Sequence, residues 1–283
     1  ADTIEITQNP TGGGLGFIYQ WQESADGLSW SNLSGETDTN LLPGNMTSTK
    51  YYRVNATSSY GCGPVSSDSV YIEVYPILTP GVITGDQNIC NNTTPSQFTF
   101  GTMPGGVDGG YTYQWQESID QLSWSDIVSA TGTSYQESSL TVDGYYRVVV
   151  GSTFGCDNDT TNSIFVNVYD PFVPGVIETE DTVCYGSTPN LISMTANPTG
   201  GDGSYSYQWY SSPDAITWTV LGGASTSLNY QPGSITSTTY YQVEFTSGSG
   251  CGTSASNNME VFVFADVASA LIDADQVLCY GAE

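Results

Sequence analysis

Short stretches of alternating apolar and polar residues run through the whole chain. In residues 111–116, tyrosine, tyrosine and tryptophan occupy every second position. The same period of two returns over residues 146–150 and 164–168, where tyrosine, valine and isoleucine alternate with other side chains. A period of two is typical of a β-strand with one buried face. We therefore predict core strands at all three places.

This pattern occurs three times at a fixed spacing, which indicates tandem repeats of one structural unit. The first tryptophan of each unit lies in a Tyr-Gln-Trp motif, and these tryptophans are 94 residues apart: Trp21, Trp115 and Trp209. A second tryptophan follows a Ser-x-Asp turn in each unit, at Trp30, Trp124 and Trp218. A hairpin through the turn would place the two indoles of a unit opposite each other.

Each unit is large enough to bury a core of its own, so the repeats are expected to be separate domains. Several short strands, an early buried tryptophan and a tyrosine pair before the penultimate strand are typical of an immunoglobulin sandwich. We predict an all-β protein of three tandem immunoglobulin-like β-sandwich domains in an elongated array. Placing the boundaries after the second cysteine of each period gives domains 1–90, 91–184 and 185–283.

Six cysteines recur in two series, a Gly-Cys series at Cys62, Cys156 and Cys251 and a second series at Cys90, Cys184 and Cys279. We expect the pairs Cys62–Cys90, Cys156–Cys184 and Cys251–Cys279, which use every cysteine at a constant spacing of 28 residues. The alternative pairs Cys90–Cys156 and Cys184–Cys251 strand the two outermost cysteines. Paired structural cysteines indicate an oxidising compartment. A zinc site is not expected, since the chain has no histidine and no Cys-x-x-Cys.

Composition narrows the possible partners. The formal net charge is −26, with 29 acidic residues against three basic ones. Such a chain repels nucleic acid and anionic membranes, so neither is expected as a partner. No apolar run approaches the roughly 18 residues of a membrane-spanning helix, and no signal peptide begins at Ala1. Proline-containing segments at 76–81 and 171–175 are expected to stiffen the junctions between neighbouring repeats.

Calcium is the one metal that the acidic residues suggest. Asp157 and Asp159 offer hard oxygen ligands, as do the loops at Asp108 and Asp202, but no complete calcium loop is present. The other two repeats replace the Asp157 group with Gly63-Pro64-Val65 and with Gly252-Thr253-Ser254. Any calcium site would therefore be local to one repeat, and no other cofactor is expected.

Catalysis is not expected. Without histidine, the Ser-His-Asp and Cys-His arrangements and the usual zinc hydrolase are excluded. Glu23 and Glu117 stand beside the motif tryptophans, but the third repeat carries Ser211 there, which a catalytic acid would not tolerate. The glycine-rich runs precede strands rather than helices, so they are turns and not phosphate loops.

Residues 19–30 read Tyr-Gln-Trp-Gln-x-Ser-x-Asp-Gly-x-x-Trp, and Tyr-Tyr-Arg strands follow at 51–53 and 145–147. Together with the Ile-Cys and Gly-Cys pairs, these motifs resemble the Ig-like repeats of Bacteroidota giant cell-surface adhesins, including the SprB-type gliding-motility adhesin. The resemblance implies type IX secretion, location at the outer surface of the outer membrane, and a role in attachment and gliding. The third repeat departs from the pattern at Tyr210 and Gln242.

The sequence is compatible with two functions. The first is a stalk or adhesive segment whose partners are an extracellular surface or polysaccharide and the neighbouring repeats, with weak or multivalent binding. The second is a carbohydrate-binding array in which the exposed aromatic rings of Tyr71, Tyr75 and Phe165 stack on sugars. Glu260 at the position equivalent to Tyr71 argues against a repeated platform.

Overall fold

A computed structural model of the chain describes residues 2–14, 16–107, 109–222, 227–272 and 280–281. The regular secondary structure in these ranges consists of β-strands, and the strands form three successive groups. Each group is an immunoglobulin-like β-sandwich, so the predicted all-β fold of three tandem domains is confirmed.

The first domain pairs its two longest strands, β2 and β5, antiparallel over eight residue pairs. β3 flanks β2, β6 and β7 both pair with β5, and β1 pairs with β4 in a separate small sheet. The strands are β1 (Ile4–Glu5), β2 (Phe17–Ser24), β3 (Ser31–Asn32), β4 (Asn40–Leu41), β5 (Lys50–Ser58), β6 (Val65–Ser66) and β7 (Val70–Ile72).

The second domain has two sheets, β13-β10-β8 and β12-β11-β14-β16-β9, with β15 paired to β14. Its strands are β8 (Val82–Thr84), β9 (Gln87–Cys90), β10 (Phe98–Thr102), β11 (Tyr111–Ser118), β12 (Ser125–Asp126), β13 (Ser134–Tyr135), β14 (Gly144–Ser152), β15 (Asp159–Thr160) and β16 (Ile164–Tyr169). The predicted alternation is confirmed, because Tyr146, Val148 and Val150 of β14 are buried while the residues between them are more exposed.

The third domain repeats this plan, with β17-β19 as one sheet and β18-β24-β22-β20-β21 as the other, and β23 paired to β22. Its strands are β17 (Val176–Ile177), β18 (Glu180–Cys184), β19 (Met194–Ala196), β20 (Tyr205–Ser212), β21 (Thr219–Val220), β22 (Thr239–Ser247), β23 (Thr253–Ala255) and β24 (Met259–Phe264).

The expected domain boundaries after Cys90 and Cys184 are wrong. β9 runs parallel to β16 with Cys90 opposite Tyr169, and β18 runs parallel to β24 with Cys184 opposite Phe264. The strands that end in these cysteines therefore complete the domains that follow them. The sequence pattern missed this because a parallel pair joins segments that are far apart along the chain.

The predicted hairpin forms, but its two indoles do not face each other. β11 and β12 pair with Gln116 opposite Asp126, so Trp115 lies inside the sandwich while Trp124 lies on the outer face beside Arg147. Neighbouring residues of a strand point to opposite faces, so the register of the hairpin decides whether the second indole faces the first. Trp21 and Trp209 are buried in the same way, with 3% and 1% of their surfaces exposed.

Candidate functional site at the domain junctions

The buried tryptophan of each domain is held by its neighbours in the Tyr-Gln-Trp motif. The Trp115 indole N–H donates to the carbonyl oxygen of Gly132 at 3.0 Å. The Gln114 side-chain amide donates to the carbonyl oxygens of Trp115 and Ile127, both at 2.8 Å, and so bridges β11 to the segment after β12. Gln20 makes the same bridge in the first domain. The motif residues therefore build the core and brace the strand to its neighbouring segment.

The Ser-x-Asp turn is a compact hydrogen-bonded loop. In the first domain the Asp26 carboxylate accepts the backbone N–H groups of Leu28 and Ser29 and the hydroxyl of Ser24. The same contacts occur at Asp120 and Asp214. Because these bonds favour the charged form, the backbone N–H groups first, the pKa of Asp26 falls from 3.8 to about 2. The aspartate thus orders the loop, and its charge is already satisfied there.

The second tryptophan lies under an arginine in the first two domains. The Arg147 guanidinium carbon sits 4.2 Å from the centroid of the Trp124 ring, and its Nε donates to Gln116 at 2.8 Å. Arg53 makes the equivalent stack on Trp30 at 4.1 Å. The third domain has Gln242 at this place and lacks the stack. Sequence reasoning missed this contact, although arginine in only the first two repeats was its signal.

The aromatic rings considered for carbohydrate stacking are engaged with other rings of the protein. Tyr71 packs on Tyr51 with centroids 4.8 Å apart, and Phe165 stacks on Tyr145 at 4.6 Å. Tyr75 contacts Phe154 across the first junction at 5.4 Å. In the third domain the position equivalent to Tyr71 and Phe165 is Glu260, which accepts a hydrogen bond from the Tyr240 hydroxyl at 3.4 Å. The rings therefore form cross-strand and interdomain contacts.

Both domain junctions are packed and hydrogen-bonded. At the first, Leu78 is buried in the core of the second domain, and Val107 N–H donates to the carbonyl oxygen of Pro76 at 3.0 Å. At the second, Phe172 packs against the core of the third domain, and Gly201 N–H donates to the carbonyl oxygen of Asp170 at 2.8 Å. Each linker is thus part of the domain that follows it, which restricts bending at the junction.

A disulfide crosses the second junction, and it joins cysteines that the sequence did not pair. Cys90, at the end of β9, is bonded to Cys251 in the turn between β22 and β23, with Cα atoms 5.1 Å apart. The expected pair Cys62–Cys90 and both pairs of the alternative are therefore wrong. The parallel pairing of β9 with β16 carries Cys90 to the end of the second domain, where the Gly-Cys turn of the third domain meets it.

The other described cysteines, Cys62, Cys156 and Cys184, are free thiols in the structure. The expected pair Cys156–Cys184 is therefore also wrong. Cys279, and with it the expected pair to Cys251, lies outside the described residues, although Cys251 is already bonded. Cys156 is partly buried and lines a cleft of about 300 Å³ at the first junction together with Tyr75, Asp157 and Asp159.

The sequence of each repeat matches the model of one known domain family. The family model described as "Domain of unknown function (DUF8696)" matches residues 1–76, 79–170 and 173–265. The chain belongs to the DUF8696 family. The two full matches start in the linkers, ahead of β8 and β17, and so agree with the domains that the strand pairing defines.

No curated protein matches the DUF8696 chain in sequence. Among solved structures, the three N-terminal domains of the bacteriophage RB49 Highly Immunogenic Outer Capsid protein are similar over 89% of both chains, at 14% identity and a TM-score of 0.43. The match to titin domains A168–A170 covers 86% of this chain and 87% of the titin chain, at 17% identity and a TM-score of 0.40. The match to extracellular domains 3–5 of Drosophila OTK covers 88% of this chain and 86% of the OTK chain, at 14% identity and a TM-score of 0.39. These scores are low, and no function is transferred from them.

Metal ligands do not converge in the described part of the DUF8696 chain. No group of three or more Cys, Asp or Glu side chains there is placed to hold an ion. Asp157 and Asp159, the calcium candidates, are both exposed, and Asp159 accepts the N–H of Thr160 at 2.7 Å. Asp202 is engaged with the hydroxyls of Ser204 and Ser247, and Asp108 lies outside the described residues. In the same ranges, no helix is long and apolar enough to cross a membrane.

Proposed function

We propose that this chain is a non-catalytic, load-bearing stalk segment of an exported cell-surface adhesin. The disulfide across the second junction is the observation that carries the proposal. Force applied along the chain reaches Cys90, crosses the sulfur–sulfur bond and leaves from Cys251, so residues 91–250, which hold most strands of both domains, carry none of it. A covalent bypass of this kind suits a segment that must keep its length under tension.

The same bond supports export as part of the proposal. A structural disulfide persists in oxidising compartments, and a strongly acidic surface keeps a long array soluble and extended. The resemblance of the sequence motifs extends the proposal to a Bacteroidota adhesin, secreted by the type IX system and attached at the outer membrane, which serves surface attachment and gliding. Labelling of intact cells with an antibody against the three domains tests location, since a protein inside the cell would stay unlabelled.

Single-molecule stretching tests the stalk function. The 161-residue separation of the bonded cysteines should stay hidden while the disulfide is intact. After reduction, the extension at full unfolding should grow by roughly 550 Å, at about 3.4 Å per residue. Cys251→Ser should behave as the reduced chain does, and Cys62→Ser, at an exposed free thiol, should leave the extension unchanged. Equal extension with and without reductant would remove the load-bearing role.

The rival function is a carbohydrate-binding array, supported by the exposure of Tyr71 and by Phe165 on the same strand position of the second domain. The ring contacts to Tyr51 and Tyr145 weigh against it, because each candidate ring already packs on a ring of the neighbouring strand. A glycan array resolves the two proposals. Tight binding of one oligosaccharide by the chain, lost in Phe165→Ala, would favour the rival, and uniform absence of binding would remove it.

A further inference from the structure

The second domain has an open cleft of about 330 Å³ beside its Ser-x-Asp turn. Glu117 of β11 and Gly144 of β14 line the cleft together with the buried Tyr146. Glu117 is exposed, and among the residues that the structure describes no cation pairs with its carboxylate. The basic residues of the chain are engaged elsewhere, because Lys50 pairs with Glu23 and both arginines stack on tryptophans. The cleft therefore presents an unneutralised carboxylate to solvent.

A lysine closes the same place in the first domain. Lys50 is equivalent to Gly144, and its ammonium forms an ion pair with Glu23, the equivalent of Glu117. This ion pair lies between two clefts, since Glu23 and Lys50 line both of them. In the second domain the glycine has no side chain to fill the gap, and residues from both sides line a single cleft. The first domain thus shows which chemical group fits beside the glutamate.

Glu117 is the acceptor that the cleft of the second domain offers. Asp143 also lines the cleft, but its carboxylate accepts the backbone N–H of Val168 at 2.7 Å. The third domain has neither member of the ion pair, since Ser211 and Thr239 stand at the two positions. The second domain alone keeps the carboxylate of the pair and lacks its ammonium.

The rim of this cleft is apolar. Ile119 and Val142 line it, and they are 81% and 63% exposed. Ser48 and Ser237 replace Val142 in the other two domains, and Ala25 replaces Ile119 in the first. A lysine side chain packs its four-carbon stem on apolar surface and places its ammonium at a polar group. The exposed apolar rim and the free carboxylate match these two parts of a lysine side chain.

We propose that the cleft of the second domain binds a lysine side chain of a partner protein. The ammonium lies at Glu117, where Lys50 places its own in the first domain, and the stem packs against Ile119 and Val142. The lysine belongs to another molecule, because Lys50 is the only lysine of the chain and is already paired. The net charge of −26 attracts a basic partner surface to the site. The proposal does not depend on the stalk function, since binding is measured without force.

The first experiment is an NMR titration of the full chain with a glycine-serine peptide that carries one lysine. We expect saturable shifts of the Ile119 and Val142 methyl signals and a single site per chain. The same peptide with acetyl-lysine has no charge and should not bind. Equal binding of an arginine peptide would show that charge alone acts, and binding of pentylamine without binding of the lysine peptide would point to a free amine. Either result would overturn the proposal, as would the absence of any shift.

The second experiment repeats the titration with variants. Glu117→Gln should weaken binding about fivefold or more, the contribution of one exposed ion pair. Glu23→Gln is the matched control and should leave the affinity unchanged, because that carboxylate already holds Lys50. Gly144→Lys should abolish binding by rebuilding the ion pair of the first domain.

Gly144→Lys carries a risk to folding, because a Cβ atom there would lie 3.0 Å from the hydroxyl oxygen of Tyr146. Thermal unfolding shows whether the variant folds. If it does not, Glu117→Gln decides, since this exposed residue can change without loss of the fold. Binding that survives Glu117→Gln, or that Glu23→Gln weakens equally, would contradict a lysine site in the second domain.

Discussion

The side-chain amide of Asn162 binds the backbone of Ile83 across 79 residues of sequence. The Ile83 N–H donates to Asn162 Oδ1 at 2.9 Å, and Asn162 Nδ2 donates to the Ile83 carbonyl oxygen at 2.9 Å. Asn257 makes the same pair of bonds with Ile177, at 2.8 and 3.0 Å. The side-chain amide thus pairs with β8 in the second domain and with β17 in the third. In each of these two domains it ties the first strand to the segment that precedes the last strand of the other sheet.

Asn162→Ala should lower the free energy of unfolding of the second domain by about 2 kcal/mol, because two hydrogen bonds are lost and the backbone of buried Ile83 is left unpaired. Urea denaturation followed by tryptophan fluorescence measures the loss. Asn88→Ala, at an exposed position of β9, is the control and should change stability by less than about 0.5 kcal/mol. Equal effects of the two substitutions would show that the amide does not hold the strand.

Acid should loosen the Ser-x-Asp turns. The pKa of Asp26 and of Asp214 is about 2, below the ordinary 3.8, because backbone N–H groups donate to each carboxylate. A lowered pKa means that the charged form stabilises the fold above pH 4, and that this contribution disappears as the pH falls towards 2. Carboxyl titration by NMR should place both groups near pH 2. In Asp26→Asn the stability should vary less with pH between 4 and 2, and an unchanged slope would show that this carboxylate does not hold the turn.

Arg147 and Trp124 should be energetically coupled. The guanidinium stacks on the indole at 4.2 Å and also donates to Gln116, so Arg147→Gln removes both contacts. A double-mutant cycle with Trp124→Leu should give a coupling energy of about 0.5 to 1 kcal/mol, typical of a cation–π pair at an exposed site. The matched cycle at Gln242 and Trp218 of the third domain should give no coupling. A coupling near zero at Arg147 would mean that the stack contributes nothing in solution.

Gly106 should tolerate no side chain at the first junction. Its φ is +80°, and a Cβ atom would lie 1.9 Å from the carbonyl oxygen of Ile77. Gly155 has a similar φ of +74° with open space around it. Gly155→Ala should therefore cost only the backbone strain, about 1 kcal/mol, and Gly106→Ala should cost at least about 2 kcal/mol more. Thermal unfolding of the two variants checks this, and equal losses would show that the linker moves aside.

Much of the fold could be predicted because it depends on local patterns. The alternation around Trp115 and Val148 identified the two central strands of the second domain, and the 94-residue repeat transferred them to the other domains. A buried face and a period of two are properties of a single strand, so they are readable without knowing its neighbours.

The registers between distant segments could not be predicted. The alternation places Trp115 in the core, but whether Trp124 faces it or lies on the outer surface depends on a one-residue choice of register in the hairpin, which the pattern of a single strand leaves open. The Arg147 stack on Trp124 follows from that register, as does the packing of Tyr145 on Phe165. These contacts engage the aromatic side chains within the protein's own sheets.

The sequence alone determined that the chain is an all-β array of three domains, each with a tryptophan in its core, because repetition and local alternation encode these properties. The tertiary structure decided where each domain begins and that Cys90 bonds to Cys251. Because β9 runs parallel to β16, Cys90 lies at the end of the second domain that adjoins the third. Only this three-dimensional arrangement brings its sulfur to Cys251, 161 residues away.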